Sequence, residues 1–266
     1  MNPDVLQQIV TEKREEILAL SHKASPAELN SQAVDAPPVR DFLAALQARA
    51  GRAVIAEIKR SSPSAGRLTE EVNPAQRAKA YEAGGAAAIS VLTDKTFFGG
   101  SIDDLRQARE ACNLPVLRKD FIISLAQIYE ARAAGADAVL LIAAALEQEQ
   151  MAELYECTKE LGMTPLVEIH GHEELGPVLN LEPQLVGINN RNLKSLKVDL
   201  AVSLSLRPLI PPHITVVAES GVKDSGDVSC LRKGGLDAFL VGTSLMRADD
   251  PKALLQAMIN GDGDRP

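Results

Sequence analysis

Ala53-Val54-Ile55-Ala56-Glu57-Ile58-Lys59-Arg60-Ser61-Ser62-Pro63-Ser64 is an apolar run that ends in charges and then in a Ser/Pro turn. A short apolar run closed by such a turn reads as a buried strand, here Ala53–Ile58. Side chains alternate faces along a strand, so Ala53, Ile55, Glu57 and Lys59 share one side and Val54, Ala56 and Ile58 the other. Two opposite charges therefore stand at the C-terminal end, on the same face as small apolar residues. A buried charge is costly unless paired or used, so the pair is either a structural ion pair or part of a site.

Outward from this strand the same order repeats. Strand-like runs recur at Ala86–Leu92, Pro115–Arg118, Ala138–Ile142, Thr164–Val167, Leu185–Ile188, Thr215–Ala218 and Ala238–Val241. Helical patterns separate most of them, at Pro74–Ala83, Ile102–Ala111, Leu125–Ala134, Glu147–Leu161, Glu173–Leu179, Leu200–Leu206 and Ser225–Lys233, with a last at Pro251–Ile259. Ala83-Gly84-Gly85-Ala86, Ala134-Gly135-Ala136-Asp137 and Lys233-Gly234-Gly235-Leu236-Asp237 put glycine where a helix ends in the left-handed region. Such units make an α/β fold, a parallel sheet covered by helices. An open doubly wound sheet could use them too. Eight repeats in about 250 residues, with polar residues spread over the strand ends, favour a closed (β/α)8 TIM barrel.

Before the first strand, Val5, Ile9, Ile17 and Leu20 among charges predict a helix over residues 3–20. A second, Phe42–Ala50, follows the Pro37-Pro38 break. Residues 1–52 are thus an N-terminal helical extension of one barrel domain spanning 1–266, and their pattern does not decide which end of the barrel they cover.

Composition excludes several roles. The 266 residues carry a net charge of −8, with 45% hydrophobic and 24% charged residues, as expected of a soluble globular chain. No apolar run approaches the roughly 20 residues that span a bilayer, and Met1-Asn2-Pro3-Asp4 does not begin a signal peptide. The acidic balance argues against general nucleic-acid binding and against an anionic membrane surface, but not against a small anion held by local groups. Aromatics at 3% and the lack of Trp weaken any base-stacking role. Cys112, Cys157 and Cys230, odd in number and far apart, suggest reduced thiols in a cytoplasmic protein. His170 and His172 lack a surrounding ligand set at metal-binding spacing, so no metal is assigned and they read as surface histidines.

In a β/α barrel the reactive groups stand at the C-terminal strand ends. Those positions hold Glu57 and Lys59 after the first strand, Arg118-Lys119-Asp120-Phe121 after the third and Glu168 after the fifth. Asn189-Asn190-Arg191-Asn192 follow the sixth, Glu219-Ser220-Gly221 the seventh and Gly242-Thr243-Ser244 the eighth. Thr93 and Asp94 after the second strand and Ala143–Ala145 after the fourth read as bland. Surface ion pairs would not be expected to choose one rim in this way. The last two loops are small-residue turns into helical segments whose N–H groups can face a phosphate, with Ser62 and Ser64 as further donors. Ordinary glycine turns and Ser/Thr caps are the alternative.

These segments resemble the indole-3-glycerol-phosphate synthase family of tryptophan biosynthesis. The likeness rests on Ala56 to Ser64, Leu117-Arg118-Lys119-Asp120-Phe121-Ile122, Leu166-Val167-Glu168-Ile169-His170, Gly187-Ile188-Asn189-Asn190-Arg191-Asn192-Leu193, Ala218-Glu219-Ser220-Gly221-Val222 and Leu240-Val241-Gly242-Thr243-Ser244-Leu245-Met246-Arg247. The segments occur in family order over nearly the whole chain. Ala65 and Ser124 depart from it, where many members have lysine and aspartate.

The resemblance implies a carboxy-lyase that converts 1-(2-carboxyphenylamino)-1-deoxyribulose 5-phosphate to indole-3-glycerol phosphate by ring closure, decarboxylation and dehydration. It implies no cofactor, and a monomer is usual for the family. Lys119 is then the general acid of ring closure, Glu168 acts in dehydration, and Lys59 is close to both steps. Glu57 orients both lysines, and Glu219 supports the lysines or a substrate hydroxyl. Asn189 and Arg191 hold the substrate carboxylate and hydroxyls. Ser62, Gly221, Gly242 and Thr243 take the phosphate, Ser220 is a further substrate-binding residue, and Phe121 either walls the anthranilate ring or is a core residue. Three readings compete. The phosphoribosylanthranilate isomerase of the same pathway would share the last two loops, but typically needs a Cys/Asp pair, and no Cys ends the first strand. A non-catalytic phosphate-sugar binder needs no lysines facing glutamates, and a purely structural barrel needs none of this clustering.

Overall fold

The computed structural model of the protein describes residues 5–62, 66–68, 72–193 and 195–261. Eight parallel strands form its centre: β1 (Ala53–Ile58), β2 (Ala88–Leu92), β3 (Val116–Lys119), β4 (Ala138–Ile142), β5 (Thr164–Ile169), β6 (Leu185–Asn189), β7 (Thr215–Glu219) and β8 (Ala238–Val241). They close in the order β1-β8-β7-β6-β5-β4-β3-β2. β1 completes the ring by pairing with both neighbours, Ile55 opposite Ala88 and Ala53 opposite Ala238. The sheet is a closed barrel with no open edge, not the open alternative.

The alternation along β1 sorts its side chains as its sequence requires. Val54, Ala56 and Ile58 pack outward with Tyr81, Leu105 and Ile128 of the surrounding helices. Ala53 and Ile55 join the interior set of Leu117, Leu140, Leu166, Val217 and Leu240. Gly85, Gly135 and Gly235, at φ of +90°, +88° and +86°, take the left-handed turn between helix and strand. In two of these turns an aspartate follows and ties the neighbouring strand: Asp137 Oδ2 accepts from Val116 N at 2.7 Å, and Asp237 Oδ2 from Val216 N at 2.9 Å.

Three helices precede the barrel: α1 (Val5–Lys23), α2 (Pro26–Val34) and α3 (Phe42–Gln47). Apolar spacing does not announce α2, but its start carries a capping box, Ser25 with Glu28, and Pro26 in the first turn. The extension covers both ends of the barrel. α3 inserts Phe42 and Leu46 into the interior cluster at the floor, where Gln47 Nε2 donates to Thr215 Oγ1 at 3.2 Å. α2 runs along α6 (Leu125–Ala133), and α1 lies over the mouth. The linker into α3 is pinned by Arg132 Nη2 on the Pro37 carbonyl (2.7 Å) and by Arg40 N on Asp137 Oδ1 (2.7 Å).

The remaining helices are α4 (Pro74–Ala83), α5 (Ile102–Ala111), α7 (Gln148–Glu160), α8 (Leu175–Leu179), α9 (Ala201–Leu206), α10 (Ser225–Lys233), α11 (Thr243–Arg247) and α12 (Pro251–Asn260). Two boundaries differ from the apolar runs in a way that matters. β2 starts at Ala88, because Ala86 N closes the turn out of α4 on Tyr81 O. β3, β5, β6 and β7 run one or two residues further than expected, so Lys119, Glu168, Asn189 and Glu219 are strand residues rather than loop residues. The ladder ignores side-chain polarity: Lys119 stands opposite Leu92, Glu168 opposite Ile142 and Asn189 opposite Glu219. No helix among the described residues is long and apolar enough to cross a membrane.

Candidate active site

A period of two delivers the charged ring. Ile55, Leu117, Leu166 and Val217 all belong to the interior cluster. Two residues on from each, on the same face and nearer the mouth, stand Glu57, Lys119, Glu168 and Glu219. Asn189 is likewise four residues beyond interior Leu185. These side chains open into a cavity of about 750 Å³. Glu57, Lys59, Ser62, Lys119, Phe121, Glu168, Asn189, Arg191, Glu219, Ser220, Gly221, Gly242 and Thr243 all line it. Ser64 lies outside the described residues.

The two lysines have different partners. Lys59 Nζ is 2.5 Å from Glu57 Oε1. Lys119 Nζ is 3.3 Å from Glu168 Oε2 and 3.6 Å from Glu219 Oε2. The expectation that Glu57 orients both lysines is therefore corrected: its carboxylate pairs with Lys59, and it reaches Lys119 only through its field.

Burial opposes the charge on Lys119, but Glu168, Glu219 and Glu57 outweigh it and raise its pKa above the ordinary lysine value. Burial also opposes ionisation of Glu168. Lys119, then His170 and hydrogen bonding, reverse that and hold Glu168 well below the usual carboxylate range. Glu219 goes the other way, pushed well up by burial and by the adjacent Glu168 charge. The two carboxylates around one ammonium are thus driven apart, Glu168 toward the anion and Glu219 toward the protonated form. His170 is not the surface residue expected. Its side chain is 11% exposed, with Nε2 at 3.3 Å from Glu168 Oε1 and Nδ1 at 3.7 Å from Glu174 Oε2. Burial disfavours its charge, but Glu174 and Glu168 raise its pKa above the ordinary imidazole value.

Small residues leave room for these heads. A Cβ on Gly187 would collide with Glu219 Oε1, and one on Gly242 with Glu57 Oε1 and Lys59 Nζ. Gly242 has φ −121°, which any residue can adopt. Gly242→Ala is therefore expected to fold with little change in melting temperature but to lose on the order of tenfold in turnover, because the Glu57–Lys59 pair must move. Side-by-side melting and kinetic measurements check this, and unchanged turnover would show that the pair's position is unimportant.

The loops after β7 and β8 meet at one side of the cavity. Ser220 sits at φ +62°, a conformation unusual outside glycine. Asn190 holds it there, with Nδ2 donating to the Glu219 and Ser220 carbonyls at 3.0 and 3.1 Å while Oδ1 accepts from Ser203 N and Oγ. Ser244 Oγ donates to Val222 O at 2.9 Å, joining the two loops. Lys223 and Arg247 also line the cavity here, and the strand-end reading missed them because they lie beyond the small-residue turns. Arg191 begins a hairpin over the mouth, pairing with Val198 and donating through Nη1 to Leu196 O at 3.0 Å. Phe121 meets Phe98 with ring centroids 6.2 Å apart, on a wall shared with Val5, Leu6 and Ile9 of α1.

Thr93 and Asp94, read as bland, belong to a buried polar cluster with Lys13, Arg118 and Asp120. Thr93 Oγ1 donates to Asp120 Oδ2 at 2.5 Å, and Lys13 Nζ reaches Asp94 at 2.8 Å. The overlooked signal was a lysine in phase with the apolar stripe of α1: Leu6, Ile9 and Lys13 are all buried.

Comparison with known proteins identifies relatives of this chain. A family model described as indole-3-glycerol phosphate synthase matches residues 6–258. A protein of that name from Burkholderia ambifaria is 48% identical over 258 residues, covering 96% of this chain and 98% of its own length. One from Paracidovorax citrulli is 50% identical over 259 residues, covering 95% and 97%. Among solved structures, a thiamine phosphate pyrophosphorylase from Pyrococcus furiosus aligns with a TM-score of 0.58 at 16% identity, over 79% of this chain and 95% of that one. That likeness concerns the fold alone.

Proposed function

This chain belongs to the indole-3-glycerol phosphate synthase family, and from that premise we infer how its mouth carries out ring closure, decarboxylation and dehydration of 1-(2-carboxyphenylamino)-1-deoxyribulose 5-phosphate. The observation that carries the reading is the convergence of Glu57, Lys59, Lys119, Glu168 and Arg191 on one cavity, although they are dispersed along the chain.

Ring closure joins the carboxylate-bearing carbon of the aromatic ring to the ketone carbon. Electrons move onto the ketone oxygen, which takes a proton from Lys119. The surrounding glutamates keep Lys119 charged through neutral pH, so a proton is in place to be given, although the same charges make it a weaker acid. Carbon dioxide then leaves and the ring regains its electrons. Dehydration expels the new hydroxyl as water, with a proton supplied to the oxygen and another removed from the adjacent carbon. Glu168, ionised and 3.3 Å from Lys119, suits the base. Lys59 stands on the same rim, steadied by Glu57, and can serve the departing hydroxyl. Atoms balance without oxidation or reduction, and this sequence of steps calls for no electron sink.

At the other side, Ser62, Ser220, Gly221, Gly242 and Thr243 receive the phosphate. Lys223 and Arg247 nearby support an anion there. Binding energy at this remote group holds the sugar chain so that the reacting carbons meet. Ser62→Ala should raise KM by about tenfold, as expected for one hydrogen bond to a charged group, and lower kcat less. A larger fall in kcat than rise in KM would remove Ser62 from the phosphate site. Arg191 and Asn189 face the substrate carboxylate and hydroxyls, and Phe121 walls the aromatic ring.

All of these residues come from one chain, which supports a monomer as the working unit. The cysteines stand as free thiols, two buried and one exposed, which fits a cytoplasmic setting. The functional test is direct. Purified protein mixed with the carboxyphenylamino sugar phosphate, without metal or nucleotide, should generate indole fluorescence, and a silent reaction would overturn the reading.

A further inference from the structure

A line of buried charge runs from α1 to the mouth, where Asp120 follows the reacting Lys119 in the chain. Lys13 Nζ lies 2.8 Å from Asp94 Oδ2, 2.9 Å from Asp120 Oδ1 and 2.7 Å from Glu16 Oε2, and its side chain is 1% exposed. Both aspartates spend other lone pairs on the cavity wall. Asp94 Oδ1 accepts from Phe97 N at 2.7 Å and from Phe98 N at 3.1 Å. Asp120 Oδ1 also accepts from Phe121 N at 2.8 Å. Leu6 and Ile9, on the same face of α1 as Lys13, line the cavity beside Phe98 and Phe121. Three distant pieces of one apolar wall therefore converge on a single amine.

We infer that Lys13 is a positioning residue that assembles this wall and so fixes the seat of the substrate's aromatic ring, an inference that rests on the functional reading above. Apolar contact alone is non-directional and would let α1 rotate or slide on the barrel. An amine held by two barrel carboxylates within 2.9 Å, with Glu16 of its own helix as a third partner, permits one register. A buried charged group of this kind can add specificity where its net contribution to stability is small. Lys13 and Arg118 are the cations facing Asp94 and Asp120, and both are also paired at the cluster's edge, Lys13 with Glu16 and Arg118 Nη2 with Glu130 Oε2 at 2.8 Å, beside its 3.3 Å contact to Asp120 Oδ2. Removing Lys13 leaves excess negative charge, which the loops can relieve only by rearranging or by taking up a proton.

The test uses Lys13→Met, which keeps helix propensity and an apolar stem. Two ligands separate the wall from the phosphate site: indole-3-glycerol phosphate, which carries the ring, and glycerol 3-phosphate, which does not. The variant should show KM and the dissociation constant of the ring-bearing ligand raised by about 10- to 100-fold, the range that small changes in an apolar pocket produce. Its kcat should stay within about threefold and its affinity for glycerol 3-phosphate within about twofold. Lys13→Arg should recover part of the lost affinity. Asp94→Asn, which loosens the same wall from the barrel side, should repeat the pattern even if Lys13→Met folds poorly. Hydrogen exchange should quicken in α1 and residues 93–100 but not in β5 to β8. Equal loss for both ligands, or an unmoved KM in both folded variants, would overturn the inference. Wild-type protein that formed no indole-3-glycerol phosphate would remove the functional reading and this inference with it; wild-type turnover beside an unmoved variant KM would remove the inference alone.

Discussion

Lys119→Met should cut turnover on the order of 10³-fold while leaving substrate affinity within a few-fold. The methionine fills similar space but cannot give a proton to the ketone oxygen, so the loss falls on the transition state and not on binding. The fold should survive, because Glu168 and Glu219 lie beside an open cavity and can share a proton once the ammonium between them is gone. Steady-state kinetics with a binding measurement on the inactive variant checks this. Turnover near wild type would exclude Lys119 as the acid, and an equal loss in binding and turnover would make it a substrate anchor instead.

Glu168→Gln should also lower turnover by about 10²- to 10⁴-fold, the usual range for an acid–base group. Its pH profile carries the sharper information. Burial first and then the charge of Glu168 push the pKa of Glu219 up, so the neutral amide lowers it and shifts Glu219 toward the anion. The anion then moves from one side of Lys119 to the other without leaving it. Lys119 keeps a raised pKa, and the alkaline limb of residual activity should stay close to its wild-type position. Replacing both glutamates by glutamine is different. Burial, which disfavours the charged amine, then acts against Glu57 alone. The folded pKa of Lys119 falls and the alkaline limb shifts to lower pH. A limb displaced as far by Glu168→Gln as by the double variant would sink the assignment of anion to Glu168 and proton to Glu219.

Much of this site could be read before any tertiary structure was known, for a local reason. The strand period places Glu57 two residues from Ile55, Lys119 from Leu117 and Glu168 from Leu166, all on the interior face. The eight repeats turn that face into the inside of a barrel. Helix and strand positions followed from apolar runs, but strand ends did not. Backbone pairing continues through Lys119 and Asn189, where hydrophobicity has already stopped. The capped start of α2 is equally local, a signal of capping residues and not of apolar spacing.

By itself the amino-acid sequence determined the repeat, the facing of each charged residue, the small-residue turns of the last two loops and the likeness to a family. Local periodicity and turn chemistry are properties of neighbouring residues, so a linear reading captures them. The partners were decided only in three dimensions. Lys59 pairs with Glu57 while Lys119 takes Glu168 and Glu219; His170 turns in against Glu168; Lys13 meets Asp94 and Asp120. These choices depend on β1 closing against β8 and on α1 crossing the mouth. A charge buried by such closure must find whichever opposite charge the barrel's circumference brings within a few ångströms, and chain distance has no part in that choice.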